Sequence, residues 1–244
     1  MKIIFLGSSH GRPEGSRKCS SILMETCDKR YLIDIGTDVT EQFAVKNLPL
    51  SAISAIFITH MHSDHTNGLL PFLFLSNGAF KDANPTIFLP GNIERTKTVI
   101  NEWLKCNNVE SIREMDYQPV NVGHIYDDGF IKVTAFLTKH INYSYSYLVE
   151  AEGKRVFFSG DLSGKGPEYD FPLSVLSSPL DLAICESAHF DATKYLTVFK
   201  TSADTKRLCF NHYSQRFLPS VISMKNLLKE IEVLIANDGM EIII

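Results

Sequence analysis

Apolar and polar positions follow two rhythms along this chain. Short apolar runs with partial alternation predict strands at Lys2–Leu6, Ser21–Cys27 and Arg30–Ile35, then at "SAIFIT" and "TIFLPG". Between them lie stretches of helical spacing. "DIGTDVTEQFAVKNL" predicts a helix capped by Thr37 or Asp38, and "TNGLLPFLFLSNGAF" one with Pro71 in its early turns. In "NIERTKTVINEWLKCNN", Ile93, Thr96, Val99, Ile100, Trp103 and Leu104 recur at helical spacing.

The second half repeats the style. "GFIKVTAFLT" and "SYSYLVEAEGKRVFFSG" predict three strands, the last two joined by a hairpin at Glu152-Gly153. "DLAICES", "RLCFNH" and "MEIII" predict further strands, and "LPSVISMKNLLKEI" a helix. Antiparallel strand runs beside strand–helix units predict a layered α/β domain. No linker-like or low-complexity run interrupts residues 1–244, so a single domain is expected.

Composition narrows the picture only a little. An apolar fraction of 44% and a charged fraction of 21% are ordinary for a globular chain of this length. The net charge of −4 gives no general attraction to nucleic acid, so large RNA is not the expected partner. The apolar run Ile3–Leu6 is too short for a signal peptide, and no run approaches the ~18 residues of a membrane span. The cysteines, Cys19, Cys27, Cys106, Cys185 and Cys209, are odd in number and form no Cys-x-x-Cys. Free thiols in a reducing cytoplasm are expected.

Candidate chemistry gathers where strands end. "AIFIT" runs into His60, "VTAFLTK" into His140, "RVFFSG" into Asp161 and "RLCFN" into His212. Loops after strand ends are where sites assemble on a rigid frame. "ITHMHSDHTNG" adds His62, Asp64 and His65. Imidazoles and carboxylates bind Zn²⁺ and similar ions, and a tetrahedral zinc needs only four ligands. Seven ligands suit two ions sharing one carboxylate. After the strand, His60 and His62 can grip one ion, while Asp64 and His65 face the other.

"THMHSDH" resembles the H-x-H-x-D-H signature of the metallo-β-lactamase superfamily. "TKH" at 138–140, "FSGD" at 158–161 and "NHYSQRF" at 211–217 follow in that superfamily's order, and the opening strands resemble its first strands. "NHYSQRF" and "ICESAHF" are most similar to the branch holding ribonuclease Z and small phosphodiesterases. The resemblance implies a four-layer αββα sandwich. It also implies His60, His62 and His140 on one metal, Asp64, His65 and His212 on the other, and Asp161 bridging. Two divalent ions are implied, zinc first, with manganese or iron as rivals. Ribonuclease Z carries a long arm between the residues matching His140 and Asp161. Here only a hairpin fills that interval.

The remaining assignments are narrower. Asp64 is expected to serve catalysis as well as binding. His189, in "CESAHFD", is the candidate acid for a leaving group. Glu186 is expected to orient a ligating imidazole from behind, and Arg216 to bind substrate phosphate. Arg12, Arg17 and Lys18 read as solvated charges, His10 as a turn residue, and His124 as a structural residue before a strand. Two ions about 3.5–4 Å apart acidify water and neutralise charge on a phosphoryl group. The expected function is hydrolysis of a small or cyclic phosphodiester. The alternatives are a lactone or ester hydrolase, a tRNA 3′-processing endonuclease, and a metal-binding protein without turnover. A small-molecule substrate and no membrane partner are expected, and a homodimer is left open.

Overall fold

The computed structural model describes residues 1–12, 14–201 and 204–244. The chain opens with β1 (Lys2–Gly7), β2 (Ser21–Thr26), β3 (Lys29–Ile33) and α1 (Val39–Val45). It continues with β4 (Ile53–Phe57), α2 (Ser63–Thr66), α3 (Leu69–Asn77), β5 (Thr86–Leu89), α4 (Ile93–Cys106) and β6 (Tyr117–Pro119). The second half holds β7 (Gly123–Asp127), β8 (Lys132–Leu137), β9 (Tyr145–Ala151), β10 (Lys154–Phe158), β11 (Leu182–Ser187) and α5 (Tyr195–Lys200). It ends with β12 (Arg207–Tyr213), α6 (Leu218–Leu227), β13 (Glu232–Ile235) and β14 (Glu241–Ile243).

Two seven-stranded sheets result, ordered β14-β1-β2-β3-β4-β5-β6 and β13-β12-β11-β10-β9-β8-β7. Side-chain alternation explains the layering. In β1, Ile3 and Phe5 point into the core between the sheets, with Phe57, Tyr147 and Phe158. Ile4 and Leu6 point the other way, onto Phe43 of α1 and Phe72 of α3. In β10, Phe158 enters the central core while Phe157 packs with Tyr195 of α5 and Val221 of α6. A strand buried on both faces needs apolar residues at every position, which is why these runs read as continuous. The expected αββα sandwich is the fold observed.

Local chemistry sets the boundaries. Asp38 caps α1, accepting from the backbone N–H groups of Thr40 and Glu41, and Asn92 caps α4 through Arg95. Glu152 and Gly153 both have positive φ, 53° and 70°, as a two-residue hairpin turn requires. β3 stops at Ile33, short of Ile35, because Asp34 turns the chain with φ 59°. α6 stops at Leu227, not Ile231, and β13 follows it. His124 lies within β7 rather than ahead of a strand.

Direction then places the site. β3, β4 and β5 run parallel, as do β10, β11 and β12. β1 is two antiparallel steps from β3, and β8 two from β10, so both share their sheets' direction. The loops after all these strands therefore open on one edge of the sandwich, where open α/β sheets bind ligands.

Candidate metal centre

His60, His140 and Asp161 each stand three residues beyond their strands, β4, β8 and β10. His212 is the penultimate residue of β12 and has φ 50°, a strained value for a non-glycine residue. Gly160 aims Asp161: its φ is 56°, and a Cβ there would lie 2.5 Å from the Tyr145 carbonyl. His62, Asp64 and His65 sit around the start of α2.

The seven expected ligands converge in two groups. His60, His62, His140 and Asp161 offer atoms within 4.8 Å of one another, and so do Asp64, His65 and His212. His60 Nε2 lies 2.9 Å and His140 Nε2 3.2 Å from His62 Nδ1. Asp161 divides its oxygens between the groups. Its Oδ2 is 3.7 Å from His60 Nε2 and 3.6 Å from His140 Nε2. Its Oδ1 is 3.3 Å from His65 Nε2 and 3.2 Å from His212 Nε2. Asp64 Oδ2 completes the second group, 3.6 Å from His65 and 3.7 Å from His212.

The far nitrogen of several rings is held from behind. His140 Nδ1 donates to the Leu162 carbonyl at 3.2 Å, and His212 Nδ1 to the Ser9 carbonyl at 3.1 Å. Such partners fix the tautomer that leaves Nε2 free for an ion. His65 has the strongest one, Asp34 Oδ2 at 2.7 Å from Nδ1. Asp34 also accepts from Thr59 N at 2.7 Å and Thr59 Oγ1 at 2.9 Å. Sequence reasoning passed over Asp34. The available signal was a charged residue directly ending the apolar strand "YLI".

Burial, reinforced by His65, pushes His60 down to a pKa of about 2, so it is a neutral donor. Burial opposes charge on His65, yet Asp161 and Asp34 hold its pKa well above the usual imidazole range. Burial would raise Asp161, but His212 and His65 hold it well below the carboxylate range. The anionic centre thus draws on positive charge from the imidazoles themselves. Asp161 Oδ1 and His65 Nε2 are buried without a hydrogen-bond partner. Orphaned buried polar atoms are destabilising, and a cation between them would satisfy both. The donor set and its orphaned atoms fit two divalent ions.

His189 stands at the rim, its Nε2 3.9 Å from Asp161 Oδ2 and its ring 4.7 Å from that of His140. Glu186 orients His189 rather than any of the clustered imidazoles, through Oε1 and Nδ1 at 2.9 Å. Glu186 is itself fixed by the N–H groups of Leu162 and Ala188. Burial disfavours the His189 charge, but Glu186, and then Asp161 and Asp64, lift its pKa to about 9. Arg216 lines a cleft of about 520 Å³ with Asp64, Asp161, His189 and His212. His10 lines it too, with Nε2 on Glu14 and Nδ1 accepting from Arg12 N. His124 lies on β7 and belongs to neither ligand group.

Two seven-stranded sheets between helical layers, with a paired ligand set at one edge, define a protein of the metallo-β-lactamase fold. Human tRNase Z, short form, superposes with a TM-score of 0.74 at 22% identity, covering 100% of this chain and 99% of its own. The metallo-beta-lactamase fold protein YhfI from Bacillus subtilis superposes at 0.77 with 18% identity, covering 99% and 98%. The chain belongs to the Anti-Pycsar protein Apyc1 family, whose profile matches residues 1–170. It is also 28% identical to ribonuclease Z of Listeria monocytogenes over 202 residues, 80% of this chain and 64% of that protein. The chain spans 46% to 64% of the length of such curated relatives. Among the described residues, no helix is long and apolar enough to cross a membrane.

Proposed function

We propose that this protein is a two-metal phosphodiesterase acting on a nucleotide phosphodiester. The observation that carries the reading is the division of the Asp161 oxygens between two imidazole groups at the floor of an open cleft. When bound, two divalent ions would acidify water and neutralise charge on the phosphoryl oxygens. His60, His62 and His140 would hold one ion, Asp64, His65 and His212 the other, and Asp161 both. A donor set of five imidazoles and two carboxylates suits zinc, and elemental analysis separates it from manganese and iron. Asp64 lines the cleft, which supports a catalytic part for it beside metal binding. His189, protonated and steered by Glu186, would give a proton to the leaving oxygen. Arg216, on the cleft wall, would hold a phosphate of the substrate away from the ions.

The relatives bear on the substrate. The curated ones are ribonucleases Z and BN, which supports the tRNA-processing alternative better than the small-diester reading placed first in sequence. One observation favours the small diester. β9 and β10 fill the interval from His140 to Asp161 with a tight hairpin, leaving no arm to grip an RNA body. The central core draws side chains from both halves, which supports one domain. Five free thiols support a reducing cytoplasm.

The test is a substrate panel with one metal-loaded preparation at near-physiological salt: precursor tRNA, bis-p-nitrophenyl phosphate, a cyclic phosphodiester and a lactone. Correctly placed tRNA cleavage supports the ribonuclease reading. Turnover of small diesters alone supports the second. Rapid lactone hydrolysis without diester turnover overturns both, as does a fully metallated protein inert on all four.

A further inference from the structure

The cleft beside the metal centre carries two positive charges that the protein does not neutralise. Arg12 and Arg216 both line it. Both are exposed, and among the described residues neither guanidinium has a hydrogen-bond or ion-pair partner. Arg216 rests only on the Phe217 ring, 5.1 Å from its centroid. The two come from distant sequence, one on the loop after β1 and one on the loop after β12.

A single carboxylate ties those loops together. Glu14 Oε1 accepts from His10 Nε2 at 2.8 Å and from the Gln215 backbone N–H at 2.9 Å. Glu14 Oε2 accepts from Arg17 Nη2. Arg17 donates on to the Tyr213 carbonyl at 2.8 Å and the Ser8 carbonyl at 2.9 Å, and its guanidinium lies 3.9 Å over the Tyr213 ring. These are buried groups: the side chains of His10, Glu14 and Arg17 are 10%, 16% and 6% exposed. Arg12 is pinned by its backbone N–H on His10 Nδ1, and Arg216 directly follows the pinned Gln215. Glu14 and Arg17 offset each other, so Arg12 and Arg216 remain as the free charge of this wall.

We propose that this wall is an anion subsite, formed by Arg12 and Arg216 and positioned by Glu14. It takes a negatively charged group of the substrate other than the scissile diester, such as the next phosphate of a nucleotide chain. The proposal rests on the phosphodiesterase reading. A phosphate offers acceptors that match the planar guanidinium fork. Because both arginines are solvated, the gain is modest, about tenfold in affinity, and it weakens as salt rises.

The test compares thymidine 5′-(p-nitrophenyl phosphate) with the same compound carrying a 3′-phosphate, using metal-loaded enzyme at low and near-physiological salt. The 3′-phosphorylated substrate should show a KM lower by about tenfold at low salt. Arg12→Gln and Arg216→Gln should each bring the KM ratio toward one. Glu14→Gln should also lower the ratio while both metals stay bound, which a purely structural defect would not do selectively. The ratio is read on one preparation, so a loss of folded protein cannot imitate the effect. Equal KM values on the wild-type enzyme would overturn the subsite, as would a preference that survives in the Arg12→Gln/Arg216→Gln double variant. An unchanged ratio in Glu14→Gln would remove Glu14 from it. Turnover of both substrates without preference sinks the subsite alone, whereas turnover of neither sinks the phosphodiesterase reading beneath it.

Discussion

Replacing Asp34 with alanine removes the acceptor for His65 Nδ1, Thr59 N and Thr59 Oγ1, at 2.7, 2.7 and 2.9 Å. All three residues are buried. Hydrogen bonds to a charged group contribute about 1.5–3 kcal/mol each. They share one carboxylate and do not sum, so a loss of about 3–5 kcal/mol is expected. Asp34 also holds φ 59°, which alanine tolerates less well, by about 1 kcal/mol. The second consequence concerns the ion held by Asp64, His65 and His212. With its far nitrogen unpaired, the His65 ring is free to turn, and affinity should fall about 10–100-fold. Urea unfolding with chelator present measures the first effect. Competition against a chromophoric chelator measures the second. Asp34→Asn, which keeps an acceptor oxygen but loses the charge, should fall between wild type and Asp34→Ala. If Asp34→Ala bound both ions as tightly as wild type, the role of Asp34 in orienting His65 would be wrong. Lost stability with unchanged affinity would leave Asp34 a part of the strand ending only.

Asp161→Ala should lose most bound metal and nearly all activity, because it removes the one carboxylate that faces both groups; metal analysis of protein purified without chelator reads this directly. His189→Ala should retain both ions yet slow hydrolysis by about 10²–10⁴-fold, with a smaller loss for p-nitrophenolate esters, whose leaving group needs little protonation. An equal loss for good and poor leaving groups would count against a proton donor. Asp170 is lifted to a pKa of about 6, chiefly by burial and secondarily by Glu186, against the N–H of Ser163 at 2.5 Å. Its folded pKa exceeds its unfolded one, so its contribution is intact below pH ~4 and is lost as pH rises through about 6. Asp170→Asn should therefore gain stability relative to wild type above that pH, on the order of 1–2 kcal/mol after solvent screening, and a pH series of urea midpoints checks it.

The parts legible in sequence were those written in local patterns. The interior strands β1, β4, β10 and β11 are buried on both sides and read as apolar runs. The order of delivery, His60, His140, Asp161 and His212, was visible because each comes at the end of an apolar run, in β4, β8, β10 and β12. The parts that were not legible depend on pairing across long separations. β13 consists of "EVLI" just beyond the predicted end of α6 at Ile231, and the pattern assigned it no element; only its parallel pairing with β12 makes it a strand. β7 is an edge strand with mixed exposure and no clear alternation. Asp34 was passed over, since its link to His65 spans 31 positions. Glu186 was expected behind a metal ligand, but its partner is the rim residue His189, a choice set by the loop after β11. The ties of Glu14 to Gln215 join loops about two hundred residues apart, which no spacing rule reaches.

The most direct test of the two-metal account is a titration of metal-free protein with zinc, following phosphodiester hydrolysis and bound metal at each addition. Activity should stay low through the first equivalent per chain and reach its plateau at the second. Full activity at one equivalent would contradict the paired centre, and so would a protein that binds two ions and hydrolyses no diester.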